Sequence, residues 1–137
     1  MISQTLCTSF KQQLLLAVHD FSTDTFKIAL YTANANLGDD TTVYTVTGEI
    51  TGTGYTAGGN TLTGATVNTS GTTAYVDFAD AVWTPAAFTC RGALIYNASK
   101  SNKAVAVLDF GADKTSTTTF TVQMPTNTAT SALIRLP

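Results

Sequence analysis

Two apolar runs of strand length, Thr89–Tyr96 and Lys103–Gly111, flank the polar, turn-forming stretch Asn97-Ala-Ser-Lys-Ser-Asn102, a spacing that predicts a β-hairpin with a longer loop. In the second run Val105 and Val107 point to one face and Ala104, Ala106, Leu108 and Phe110 to the other. A strand that is apolar on both faces belongs in the middle of a sheet, covered by another layer on each side or by a partner on one of them. The rest of the chain is expected to be arranged around this hairpin.

Shorter elements precede and follow it. Thr25–Thr32 alternates Phe26, Ile28 and Leu30 against Lys27, Ala29 and Tyr31, the pattern of a half-buried strand with one side to the core. Thr42–Thr47 reads as a second, weaker strand, Thr61–Val67 as a third, and Val67–Thr73 as a hairpin connection. In Ala74–Ala79, Tyr75 and Asp77 oppose Ala74, Val76 and Phe78. Asp109–Ser116 reads as a polar turn, Phe120, Val122 and Met124 alternate up to Pro125, and Ala132–Leu136 closes the chain as a strand. The one helix candidate runs from Ser9 to Val18, with Ser9 and Gln12 in capping-box spacing and Phe10, Leu14, Ala17 and Val18 on the face toward the sheet. These elements predict an all-β fold, an antiparallel β-sandwich of jelly-roll-like type with about eight strands and one short N-terminal helix, as a single domain over residues 1–137.

Composition changes the picture at the surface. A chain of 137 residues can bury a full core unaided, and 44% hydrophobic residues is ordinary, but only 12% are charged, about half the usual share. The surface must be polar mainly through Thr, Ser and Asn, which protects poorly against association and points to a homo-oligomer or a place in a larger assembly. A net charge of -2 and scattered basic residues exclude a nucleic-acid partner. The apolar run Leu14–Val18 is too short for a membrane span and a poor signal peptide, so no membrane partner is expected and synthesis is placed in the cytoplasm.

Candidate chemistry is sparse. Cys7 and Cys90 permit at most one disulfide and read as two buried thiols, neither flanked by the bases that activate a thiolate. His19, the sole histidine, falls at the end of the helix, where a cation is favoured, with no motif supplying a nucleophile or orienting group. Asp39-Asp40 lacks the following acidic residues of a calcium loop, and Trp83 reads as core packing against the alternative of a ligand-stacking platform. The sequons at Asn68 and Asn97 are discounted without a secretory signal. No cofactor, metal or catalytic residue is expected.

The most unusual segment is Glu49–Asn60, with Gly52, Gly54, Gly58 and Gly59 around Tyr55. Its glycines are spaced wider than a dinucleotide fingerprint, no Lys-Ser/Thr follows, and a strand rather than a helix comes next, so it is not a phosphate loop. The expectation is a loop ordered by its neighbours in an assembly, with Gly54, Tyr55, Gly58 and Gly59 as partner contacts and Tyr55 as a rigid anchor.

Phe26-Lys-Ile-Ala-Leu-Tyr-Thr, Gly48-Glu-Ile-Thr-Gly-Thr-Gly-Tyr-Thr-Ala-Gly-Gly, Tyr75-Val-Asp-Phe, Arg91-Gly-Ala-Leu-Ile-Tyr-Asn and Ala104-Val-Ala-Val-Leu-Asp-Phe-Gly together resemble a family of small virion proteins of tailed bacteriophages. The resemblance covers most of the chain and carries no catalytic residues with it. It implies a non-enzymatic particle component in many copies, located in the virion and contacting other capsid or tail subunits. Within that family the expectation is a capsid decoration or cement protein. The alternative is a tail, neck or fibre-associated binding module in which the glycine loop or Trp83 contacts another tail protein or a host glycan; a hydrolase is the third reading.

Overall fold

The computed structural model describes all 137 residues, Met1 to Pro137. The fold is all-β and sandwich-like with one short helix. In chain order the elements are β1 (Thr5–Leu6), α1 (Thr8–Leu15), β2 (Phe26–Tyr31), β3 (Asn60–Thr61), β4 (Thr66–Ser70), β5 (Thr73–Asp77), β6 (Ala81–Trp83), β7 (Phe88–Asn97), β8 (Lys103–Ser116), β9 (Phe120–Val122) and β10 (Ile134–Leu136). They form antiparallel sheets in the orders β1-β8-β7-β2-β3, β10-β5-β4 and β6-β9.

The predicted hairpin is β7 and β8, joined by a single 3-10 turn, Ala98–Lys100, and by Ser101 and Asn102 in the left-handed region. β7 lies at the centre of the five-stranded sheet. Residues directly opposite share a face, so Phe26, Ile28 and Leu30 join Asn97, Ile95 and Ala93 on one side, while Lys27, Ala29 and Tyr31 join Tyr96, Leu94 and Gly92 on the other. Both faces are covered. Over the first lie Phe21, stacked on Phe26 at 4.5 Å, and Phe78, 5.7 Å from Phe26. Over the second lies the irregular segment 32–50, with Tyr44 stacked on Tyr96 at 4.7 Å and the Tyr31 hydroxyl donating to Thr45 O at 2.6 Å. The half-buried reading of Thr25–Thr32 is therefore corrected: Ala29 and Tyr31 are as fully buried as Ile28 and Leu30.

Several boundaries also differ from the sequence reading, and at the helix start distant backbone acceptors take the place of the local cap. The helix is eight residues long, and its cap is Cys7, with no side-chain cap bond. The Cys7 and Thr8 N–H groups donate to Val105 O and Asp39 O, and the Ser9 hydroxyl is buried without a partner. The helix ends in a closed turn: Val18 N donates to Gln13 O and Ala17 N to Leu14 O, with Ala17 at φ 58° in the position usually held by glycine. Thr42–Thr47 forms no strand and touches the sheet through a bridge from Val43 to Lys103. Val67–Ser70 is part of β4, not a connection, and the β4–β5 turn is Gly71-Thr72. Asp109–Ser116 is not a simple turn: β8 continues to Ser116, with Phe110–Asp113 bulging between the pairs Gly92↔Asp109 and Cys90↔Lys114. A second irregularity leaves Val105 as the extra residue between Ile95↔Ala106 and Tyr96↔Ala104.

Trp83 is core, as read, packed 6.0 Å from Phe120 and 6.4 Å from Tyr55. Cys7 and Cys90 are free and buried, and burial pushes their thiols up to about 11 and about 12. Val107 has no exposed surface and Thr121 lies outside. Val107→Asp is expected to abolish folding, since an unpaired carboxylate there costs several kcal/mol of a total near 5–15 kcal/mol. Thr121→Asp should be tolerated, and comparable soluble yields for the two variants would contradict this burial pattern.

Candidate functional site: the glycine loop and an open cleft

The glycine loop is clamped inside its own subunit. Gly59, at φ 78°, passes so near β2 that a Cβ would sit 1.8 Å from Ile28 O, and Gly54, at φ 87°, passes so near Pro85 that a Cβ would sit 1.7 Å from its carbonyl oxygen. Only glycine allows both approaches. Just before Gly54, Thr53 O accepts from Ala87 N at 3.0 Å, fixing the loop to the residue that precedes β7.

Glu49 ties the loop down from the other side. One carboxylate oxygen accepts from the Tyr44 hydroxyl at 2.6 Å, and the other accepts from the Tyr55 hydroxyl at 2.5 Å and from Gly58 N at 2.8 Å. The Tyr55 oxygen in turn accepts from Leu30 N at 3.0 Å, on the edge of β2 that β3 leaves unpaired, and the Tyr96 hydroxyl donates to Gly58 O at 2.6 Å. Burial first, and then the hydrogen bond to Glu49, raise the Tyr44 and Tyr55 hydroxyls well above the usual phenol range. The group is a structural knot, with every polar atom named here already partnered.

The expected role of Tyr55 as an outward anchor is thereby corrected. Its ring packs against Trp83 and Phe88 and its hydroxyl faces inward, so the loop is ordered by its own subunit and not by a neighbour. Gly58 is buried and Gly59 half-buried; of the four proposed contact residues only Gly54 is exposed. No motif singles out Glu49 as the hub. The available signal was that Tyr31 and Tyr96 sit on the face opposite Phe26 and Ile28, where a buried phenol needs an acceptor.

A second polar cluster lies at the tip of β7. Asn97 is fully buried; its amide N–H groups donate to His19 Nδ1 at 2.9 Å and to Asp24 Oδ2 at 2.8 Å, and its oxygen accepts from Ser99 N. Because His19 Nδ1 accepts, the proton resides on Nε2, which donates to Gln13 Oε1 at 2.8 Å. Burial lowers the His19 pKa from its ordinary value, so the ring is neutral, and the expectation of a helix-end cation is corrected. The Asp24 side chain is nearly covered, which alone would raise its pKa, yet the bonds from Asn97, the Asp20 N–H and Lys100, at 3.1 Å, hold it below the usual carboxylate range. No serine or cysteine contacts His19, and nowhere do three His, Cys, Asp or Glu side chains gather as a metal would require.

The largest concavity was not foreseen. It is an open cleft of about 750 Å³ between β8, β9 and the segment before β10, with Leu108, Phe110, Phe120 and Met124 among its apolar lining and Gln4, Lys114 and Gln123 among its polar lining. Phe110 and Phe120 meet edge to face at 6.1 Å. An amphipathic ligand or an extended peptide is the class such a lining accepts.

Two outcomes follow from the buried polar groups. Tyr55→Phe leaves Leu30 N without a partner and removes one of the two hydrogen bonds to a Glu49 oxygen, and is expected to destabilise the fold by about 1–3 kcal/mol, read by denaturant titration. An unchanged midpoint would show that the knot is not structural. Asp77 is buried with Oδ2 unpartnered, and desolvation raises its pKa. A raised carboxyl opposes folding where it is ionised, and that cost disappears as pH falls through its folded pKa toward the ordinary 3.8. Asp77→Asn should therefore raise the melting temperature at pH 7, with the gain shrinking toward pH 4; a gain that is constant across this window would rule out the electrostatic cause.

Compared with known proteins, the chain matches no protein-family model, no curated protein and no solved structure at a significant level.

Proposed function

We propose that the chain is a non-enzymatic structural protein of a tailed-bacteriophage virion, and within that class a decoration or cement protein that docks on capsid subunits. The observation that carries the reading is where polarity is spent. Inside the subunit the Glu49 carboxylate accepts from Tyr44 and Tyr55, and Asn97 donates to both His19 and Asp24. What is left outside is hydroxyl-rich and charge-poor, with Leu15, Leu16, Val46, Val67 and Leu136 more than half exposed. Such a surface suits contact more than chemistry. The segments that resemble phage virion proteins fall largely on β2, β7, β8 and the Glu49 loop, the parts that build the scaffold.

A tail, neck or fibre-associated binding module is the second reading, and the cleft beside Phe110 and Phe120 favours it. Trp83 and the glycine loop, being turned inward, leave that cleft as the place for a fibre peptide or a host glycan. Copy number separates the two. Quantitative mass spectrometry of purified particles is expected to find hundreds of copies per particle; a handful, in multiples of three or six, would assign the chain to the tail, and absence from particles would overturn both.

A further inference from the structure

Beside α1 the inner face of the β10-β5-β4 sheet is left open. A slot of about 100 Å³ there is lined only by apolar residues: Leu14 and Phe21 on one wall, and Val67, Ala74, Val76 and Leu136 among those on the other. Directly after Leu14, Leu15 and Leu16 project into solvent with 90% and 66% of their surface exposed, held in place by the closed turn at Ala17 and not frayed. A protruding leucine therefore stands next to a cavity of leucine size on the same molecule. We propose that this face is a two-fold interface between copies of the chain, in which Leu15 of each protomer fills the slot of the other.

Three features commit the occupant to a second copy. An isologous contact needs a patch that is complementary to itself, and an adjacent knob and hole meet that need by one rotation. Leu15, Leu16, Val67 and Leu136 are 90%, 66%, 57% and 56% exposed, apolar area that a stable interface of roughly 800 Å² per partner would take out of water. Charge does not oppose the contact either. No residue lining the slot is charged, and β4, the edge strand that borders it, reads Thr-Val-Asn-Thr-Ser, without the lysine or proline that edge strands use to prevent pairing. The inference is independent of the virion assignment, since it depends only on this face.

Sedimentation of the full chain over about 1–100 µM tests it. The wild type is expected to sediment as a dimer at the upper end, and Leu15→Glu to weaken association by at least about tenfold while leaving the circular dichroism spectrum unchanged, and the melting temperature unchanged at concentrations where the wild type is monomeric, because residue 15 is 90% exposed in its own subunit. Val46→Glu, at a residue 68% exposed on a different loop, should remain dimeric. A mixture of Leu15→Cys and Leu136→Cys chains should yield a disulfide-linked heterodimer under mild oxidation. A wild type that is monomeric at 100 µM, a trimer or larger ring, a Leu15→Glu chain that dimerises normally, or a failure of the mixed chains to cross-link would each overturn the proposal.

Discussion

A sheet that is apolar on both faces cannot meet water on either, and the rest of this molecule follows from covering β2, β7 and β8 twice. The two covers are unlike. One is a second sheet, which brings its own apolar residues, Val76, Phe78 and Ile134, and needs only to be pressed against Phe26 and its neighbours. The other is irregular chain, which brings backbone N–H and C=O groups that must be satisfied where they lie. The tyrosines of that face answer this need: Tyr31 and Tyr96 present apolar rings to the sheet and hydroxyls to the covering carbonyls of Thr45 and Gly58. Glu49 then gathers what the carbonyls leave over.

The same constraint explains what the sequence made legible and what it concealed. The β7–β8 hairpin was readable because its signal is local: two apolar runs and a polar turn, with Asn97 and Ser99 bonding within the turn itself. The inward position of Trp83 was readable from residue type alone. Tyr55 was misread because an exposed glycine loop and an internally clamped one share the same residues; the difference lies in Leu30 N, Ile28 O and Pro85 O, contributed by segments 25 or more positions away. Thr42–Thr47 was misread as a strand for a related reason. Its β-branched residues fit an extended backbone, and extended it is near Val43, but the nearest edge offers only the end of β8 for pairing. The helix cap was assigned to Ser9 from a local motif, while Val105 and Asp39 already held the N–H groups just ahead of it.

Charge economy has a structural counterpart. With two ion pairs, Asp24 with Lys100 at 3.1 Å and Arg91 with Asp109 at 3.4 Å, each with its cation more than a third exposed, the fold owes little to long-range attraction. Its specificity resides in short hydrogen bonds among neutral groups and single carboxylates, which salt screens weakly. A chain built in this way keeps its shape over a wide range of ionic strength, a useful property for a molecule whose proposed place is in an assembly outside the cell.

The Asn97 side chain carries one further consequence, for the timing of synthesis. Its two amide bonds reach back 73 and 78 positions, to Asp24 and His19. During synthesis at 5–20 residues per second, the segment holding His19 and Asp24 must wait roughly 4–15 s for that partner to be made. Throughout this interval Phe10, Phe21 and Phe26 have no completed sheet to lie on. The nascent amino-terminal third thus carries these rings uncovered until the β7 tip has been made.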